Sequence, residues 1–312
     1  MLVRVLGSGA GGGVPQWNCA CRICRAVRAG TRTIIPRSQA SAAISSDGVN
    51  WFLLHASPDI RLQIESFSPL HPRATRDSPI AGILLANGDL DACLGLLCLR
   101  ESQPLVVYAT GATAHGFRDG NPLVRTLERF PDQVRWIELA LGTEVALEGQ
   151  GGRTGLTGTS SGLDVTAFPV RGKVPLHLVG TRPPSDEDTV ALRVRERESG
   201  RTLVWAPSVT GPTPALETIL READCVLFDG TFWSSEELAE SGAGERRAEE
   251  MGHWPVGGPG GSLAFLSQLT GTRRILIHVN NTNPILLDDS AERAAVVAGG
   301  VEVAHDGLEL TL

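Results

Sequence analysis

The amino-acid sequence predicts an α/β protein in which sheets of short strands are flanked by helices. Three observations carry this reading. Short apolar segments fall in two groups along the chain with helical stretches between them. Polar clusters stand directly after several of those segments, where a layered α/β protein builds its site. Gly 36 and Pro 19 among 312 residues point to many turns and functional loops, which rules against a bundle of long helices.

Leu2 to Leu6 alternates as a short strand and runs into Gly7-Ser8-Gly9-Ala10-Gly11-Gly12-Gly13-Val14-Pro15, a turn whose glycines permit backbone angles that other residues resist. Ala40 to Ser45 and Asn50 to Leu54 read as a hairpin around Ser46-Asp47-Gly48. Asp59 to Ser66 has helical spacing after Ser57-Pro58, and Ile80 to Ala86 is a continuous apolar strand of the kind buried on both faces. Leu105 to Ala109 is a strand, and Pro122 to Phe130 and Pro212 to Arg221 have helical patterns. Asp188 to Arg195 and Thr202 to Trp205 form a strand pair around Ser199-Gly200. Asp224 to Asp229 and Arg274 to Val279 are apolar β segments that each end in a polar cluster. A last helix, Ser290 to Ala298, stops at Gly299-Gly300, and two short strands follow.

The 28 Lys+Arg against 35 Asp+Glu leave a formal charge of −7, which argues against a nucleic-acid footprint or a polybasic membrane anchor. Hydrophobic residues at 42 % suffice for a substantial core and exclude a wholly disordered chain. Met1-Leu2-Val3-Arg4 shows no secretory signal, so a cytoplasmic protein is expected. Ile80 to Leu99 comes nearest to a membrane span, but Asn87, Asp89 and Asp91 in its middle fit a strand followed by a helix. With no repeat and no long linker, residues 1–312 are expected to form one domain; the sequence is silent on oligomeric state.

Six cysteines in a reducing compartment do not read as a disulfide framework. Cys19, Cys21 and Cys24, spaced C-x-C-x2-C, suit one tetrahedral zinc held by a tight loop at about residues 16–26; three free, partly buried thiols are the plainer alternative. Such a zinc needs a fourth ligand, and by residue type His253 in Met251-Gly252-His253-Trp254-Pro255 is the best candidate. Cys93, Cys98 and Cys225 lie in apolar runs and read as small core residues.

The stretch Leu84-Leu85-Ala86-Asn87-Gly88-Asp89-Leu90-Asp91-Ala92-Cys93 ends a buried strand in two carboxylates before a short apolar helix. Either aspartate would serve as a helix N-cap. Two further strand ends change the weighting: Ile277-His278-Val279-Asn280-Asn281-Thr282-Asn283-Pro284 and Leu227-Phe228-Asp229-Gly230-Thr231. Asp89, Asp91, Asp229 and His278 together supply what a mononuclear divalent-metal site needs, and a carboxylate and imidazole set suits iron(II) as well as zinc.

These residues resemble the metallo-β-lactamase fold and, within it, the pyrroloquinoline quinone (PQQ) biosynthesis protein B family. The blocks GSGAGGGVPQWNCACRIC, HASPDIRLQI, NGDLDACLGLL, GKVPL, LFDGT, GHWPVGGPGGSLA, HVNNTNPILLDDS and VAHDGLEL follow that family in order across the whole chain. The resemblance implies a four-layer αββα sandwich and a structural zinc on Cys19, Cys21, Cys24 and His253. It also implies iron- and oxygen-dependent hydroxylation of the tyrosine in a Glu-Tyr-derived PQQ precursor, with Asp91, Asp229 and His278 as catalytic metal-site residues. In that frame Asn280, Asn281 and Asn283 would orient an acidic substrate or support the metal ligands, and Arg37 and Arg61 would pair the substrate's carboxylates, a surface arginine being the plainer reading of each. A non-catalytic carrier of PQQ or its precursor is the alternative, and a metallo-hydrolase of the same fold a weaker one.

Two departures matter. The wider superfamily's His-x-His-x-Asp-His window reads Asn87-Gly88-Asp89-Leu90-Asp91-Ala92 here, and Ala92 stands where the family normally keeps the final histidine. His55 stands where the family usually has asparagine; a strand-end histidine bonded to backbone is the favoured reading, and a replacement ligand is the alternative.

Overall fold

The computed structural model describes residues 1–30, 34–101, 103–148 and 160–312. Among them, fourteen strands form two seven-stranded sheets. In chain order these are β1 (Leu2–Gly7), β2 (Ser41–Ser45), β3 (Trp51–Leu54), β4 (Ile80–Leu84), β5 (Leu105–Ala109), β6 (Val134–Glu138), β7 (Glu144–Glu148), β8 (Ser160–Pro169), β9 (Val190–Glu196), β10 (Thr202–Ala206), β11 (Cys225–Asp229), β12 (Arg273–Ile277), β13 (Glu302–Val303) and β14 (Glu309–Thr311). The first sheet runs β14-β1-β2-β3-β4-β5-β6 and the second β13-β12-β11-β10-β9-β8-β7.

The period-two alternation of strands explains why so many are apolar throughout. Phe52 and Leu54 of β3 face the other sheet, packing in one cluster with Trp205, Leu227 and Ile277, while Leu53 between them packs outward with Ile60 and Leu96. The second sheet repeats this: Leu203 and Trp205 face inward, and Val204 and Ala206 face out against Leu216, Ile219 and Leu220 of the helix Pro214–Arg221. Helices on both outer faces complete an αββα sandwich. Each fully buried large apolar side chain stabilises it by about 1.5–3 kcal/mol.

Local signals place the helices. Thr213 accepts from the Leu216 amide ahead of Pro214, Ser290 from the Arg293 amide ahead of Ala291–Ala298, and Cys21 from the Cys24 amide ahead of Arg22–Arg28. Pro122 to Phe130, expected as a helix, is a 3-10 segment over Pro122–Leu127 whose N-cap is Asn121. Cys98, expected in the core, lies exposed at the end of the short helix Gly95–Cys98, whereas Cys93 and Cys225 are buried as expected. Among the described residues no helix is long and apolar enough to cross a membrane.

The topology brings the polar strand ends together. β3, β4 and β5 run parallel in one sheet, and β10, β11 and β12 run parallel in the other. The glycine turn after β1 joins the two edges: the Val279 amide donates to Ser8, the Ala10 amide donates to Val279, and Ala40 donates to Gly9.

Candidate metal centre

Parallel pairing sets Asp229 of β11 beside Ile277 of β12, so His278, one residue on, shares its end of the sheet with Asp229. His278 turns out of the strand through a left-handed backbone, φ 61°, an angle that non-glycine residues adopt at a cost and that here aims its ring. The Thr231 hydroxyl donates to Asp229 Oδ1 at 2.6 Å and stands 2.8 Å from His278 Nδ1 and 3.0 Å from His253 Nδ1. His253 Nδ1 lies 2.9 Å from Asp229 Oδ2 and its ring stacks on His278 with centroids 5.2 Å apart. Asp229, His253 and His278 each offer a ligand atom within 4.8 Å of the others'.

From the opposite sheet, the helix Leu90–Cys93 presents Asp91, whose Oδ2 is 2.8 Å from His278 Nε2. Burial would raise the Asp91 carboxyl, but the hydrogen bond and charge of His278, with the Lys173 charge, hold it well below the usual carboxylate range. Burial works against the charged form of His278 too, and the Asp91 carboxylate overrides it to raise that imidazole above its ordinary value. Asp229 is fully buried and its Oδ2 also accepts from the Val209 amide at 2.9 Å. A buried carboxylate and two imidazoles that share hydrogens in this way are a donor set suited to a divalent metal.

Asp89 takes a different partner. Lys173 Nζ donates to both of its oxygens, at 2.8 and 2.7 Å, and the lysine stem lies against Gly252, where an added Cβ would meet Lys173 Cγ at 3.0 Å. Asp89 is therefore committed to an ion pair and not to the Asp229, His253 and His278 group. Ala92 is buried just behind Asp91 and brings no ligand atom. His55, also left-handed at φ 68°, is a backbone-bonded strand-end residue: its Nε2 accepts from the Ala86 amide at 3.3 Å and its ring meets Trp205 edge-on. Burial pushes its pKa down to about 3, so it stays neutral.

The cysteine loop corrects one expectation. Cys19, Cys21 and Cys24 do converge, with ligand atoms within 4.8 Å of one another, but His253 is in the cleft with Asp229. The residue that faces the three sulfurs is Asn281, whose amide Nδ2 lies 3.2 Å from Cys19 Sγ, 3.7 Å from Cys21 Sγ and 3.3 Å from Cys24 Sγ. Hydrogen bonds from the Cys24 amide and neighbouring thiols outweigh burial and lower Cys21, while burial raises Cys24 to about 11. Asn281 follows His278 by three residues, so one loop serves both centres.

The remaining substrate-binding expectations divide. Asn280 lines the cleft and donates to Thr282 Oγ1 at 2.6 Å. Asn283 is wholly buried, donates to the Gly230 and Thr231 carbonyls and caps the turn at Pro284–Leu286, which makes it a support of the loop and not a substrate contact. Arg37 is buried against Ser8 and the Ala304 carbonyl, and Arg61 lines a separate hollow with Leu70 and Cys98, so neither reaches the cleft. Sequence reasoning missed Thr231 and Lys173 as site residues. The residues at the three strand ends were visible in sequence; the lysine, deep in a loop, carries no local signal.

Residues 50–279 match the family model described as Beta-lactamase superfamily domain. The chain is 42 % identical over 313 residues to the Coenzyme PQQ synthesis protein B of Azotobacter vinelandii, and 42 % over 315 residues to that of Stutzerimonas stutzeri, with 100 % of each chain covered. Among solved structures, Zn(2+)-bound PqqB from Methylobacterium extorquens superposes with a TM-score of 0.91 at 42 % identity, covering 100 % of both chains. A diphosphatase from the PhnP family superposes with a TM-score of 0.67 at 18 % identity, covering 100 % of this chain and 97 % of that one, and shares the fold alone.

Proposed function

The chain belongs to the coenzyme PQQ synthesis protein B family of the metallo-β-lactamase fold, and from that premise we propose that it is a cytoplasmic, iron-dependent hydroxylase acting on the tyrosine ring of a Glu-Tyr-derived PQQ precursor. The convergence of Asp229, buried beneath an open cleft, with His253 and His278 of that cleft's lining, and with Asp91 on His278, carries this reading. These four residues would hold the iron, and His253 supplies the imidazole that Ala92 does not. Bound iron(II) would supply redox chemistry with molecular oxygen next to the phenol.

The chain's own groups prepare that site. Thr231 fixes the Nδ1 sides of both imidazoles and one oxygen of Asp229, so the rings cannot turn away from the cleft. Against burial, the hydrogen bond and charge of His278 hold the Asp91 carboxyl well below the usual carboxylate range, so a negative charge faces His278. Lys173 neutralises Asp89 at the cleft wall and leaves that carboxylate unavailable to repel an acidic substrate.

A structural zinc fits the other centre. Three sulfurs converge there, and turning the Asn281 amide by half a rotation presents its oxygen to the same point. Zinc would tie the Cys19–Cys24 loop to the His278–Asn281 loop and so stiffen the candidate active centre.

The test is zinc and iron per chain in protein purified without oxygen or chelators, followed by incubation with iron(II), oxygen and a Glu-Tyr peptide and mass analysis of the product. Near-stoichiometric zinc and iron with a mass gain of one oxygen atom supports the reading. Zinc alone, with no oxygen gained after added iron(II), overturns it and favours the carrier.

A further inference from the structure

The cleft over Asp91, His253 and His278 holds about 810 Å³. Two of its charged pairs answer one another inside the fold, Lys173 with Asp89 and Asp91 with His278, while the Glu250 carboxylate accepts a backbone hydrogen bond from the Arg247 amide at 3.1 Å. Arg246 is different: it lines the same cleft, and among the described residues it has neither a hydrogen bond nor an ion pair. A guanidinium is charged at every physiological pH and presents a planar fork of donors that matches a carboxylate.

The wall near it is unusually apolar for a surface. Leu90 is 55 % exposed, Leu176 69 % and Val179 62 %, and all three line this cleft. The chain buries most of its other large aliphatic side chains, so three exposed ones at one cleft mouth mark a surface kept for an apolar ligand. Leu176 and Val179 stand on the segment that follows Lys173, and Leu90 stands between the two aspartates of the facing helix. An occupant that satisfies both features has an apolar body and an anionic group.

Building on the hydroxylase reading, we propose that Arg246 binds a carboxylate of the substrate while Leu90, Leu176 and Val179 hold its aromatic ring, so that the cleft selects acidic aromatic compounds. Lys173 cannot bind the substrate carboxylate without giving up Asp89, whose bidentate pair and the fit of the lysine stem over Gly252 hold it in place. Arg246 has no such prior partner, and its long stem lets the head swing to the ligand.

The experiment is calorimetric titration of the purified, metal-loaded protein with a Glu-Tyr dipeptide, its diamide, which lacks both carboxylates, and a Glu-Ala dipeptide. Arg246→Gln is expected to weaken the Glu-Tyr dipeptide about five- to tenfold, the order of an exposed charge-assisted pair, and to leave the diamide's weaker binding unchanged. Arg246→Lys recovers part of the loss. Leu176→Ser is expected to weaken Glu-Tyr more than Glu-Ala. Equal binding of Glu-Tyr by wild type and Arg246→Gln, equal binding of dipeptide and diamide, or no binding of the dipeptide by wild type overturns the proposal. Binding needs no turnover: Arg246-dependent binding without oxygen insertion supports this assignment while the hydroxylase reading falls, and turnover indifferent to Arg246→Gln overturns this assignment alone.

Discussion

Lowering the pH from 7 to 5 should weaken this fold more than it weakens a His55→Gln variant. His55 is 3 % exposed, its Nε2 accepts a hydrogen bond from the Ala86 amide, and a ring that accepts there cannot also carry a proton there. Burial brings its pKa from the ordinary 6.5 to about 3; the nearby Asp91 charge works the other way and the His278 charge adds to burial. The unfolded chain therefore takes up a proton that the folded chain refuses, and stability is lost as the pH falls from 6.5 toward 3. The loss attributable to His55 is about 2 kcal/mol at pH 5 and approaches roughly 5 kcal/mol below pH 3. Urea denaturation of metal-free wild type and His55→Gln at pH 7, 6 and 5 reads this difference directly, because the carboxylates contribute alike to both proteins. Parallel losses in the two proteins, or an NMR titration of His55 centred near 6.5, would refute the reasoning.

Asp229→Asn replaces a fully buried acceptor of bonds from Val209, Thr231 and His253, and should cost about 3 kcal/mol in denaturant and weaken the binding of added iron(II); an unchanged midpoint counts against the network. Asn281→Ala should lower zinc per chain and the melting temperature together, since zinc-binding energy is coupled to folding, and Cys21→Ser should do the same; full zinc retention in Asn281→Ala removes the asparagine from that centre. Gly252→Ala places a Cβ against the Lys173 stem at a left-handed position, φ 87°, and should cost about 1–2 kcal/mol while freeing Asp89; a thermal scan that matches wild type would show that the lysine is not held there.

The strands were legible where the signal is local. β1, β2, β3, β4, β10, β11 and β12 fall where apolar runs and turn residues place them, within a residue or two. β6, β7 and β8 escaped because charges interrupt them. Asp164 inside β8 would argue against a buried strand, yet it is buried because Arg195 and Arg197 on and beyond the neighbouring β9 bond its carboxylate at 2.5–3.0 Å, and that pairing exists only in the sheet. Pro122 to Phe130 has helical spacing, but spacing cannot distinguish a continued 3-10 turn from an α-helix over so short a stretch.

By itself the sequence determined the layered α/β architecture, the cysteine triplet, the carboxylate and imidazole strand ends and the family to which they belong. All of these rest on residue types at short spacings, and short spacings survive in a one-dimensional reading. Tertiary structure alone decided which distant groups meet. His253 and Asn281 are each more than two hundred residues from Cys24 in sequence, so residue type favoured the histidine for the sulfurs. The parallel register of β11 and β12 instead sends the loop after His278 to the cysteines and leaves His253 beside Asp229. Lys173 reached Asp89 in the same way, through a cleft that forms only when the two sheets close on each other.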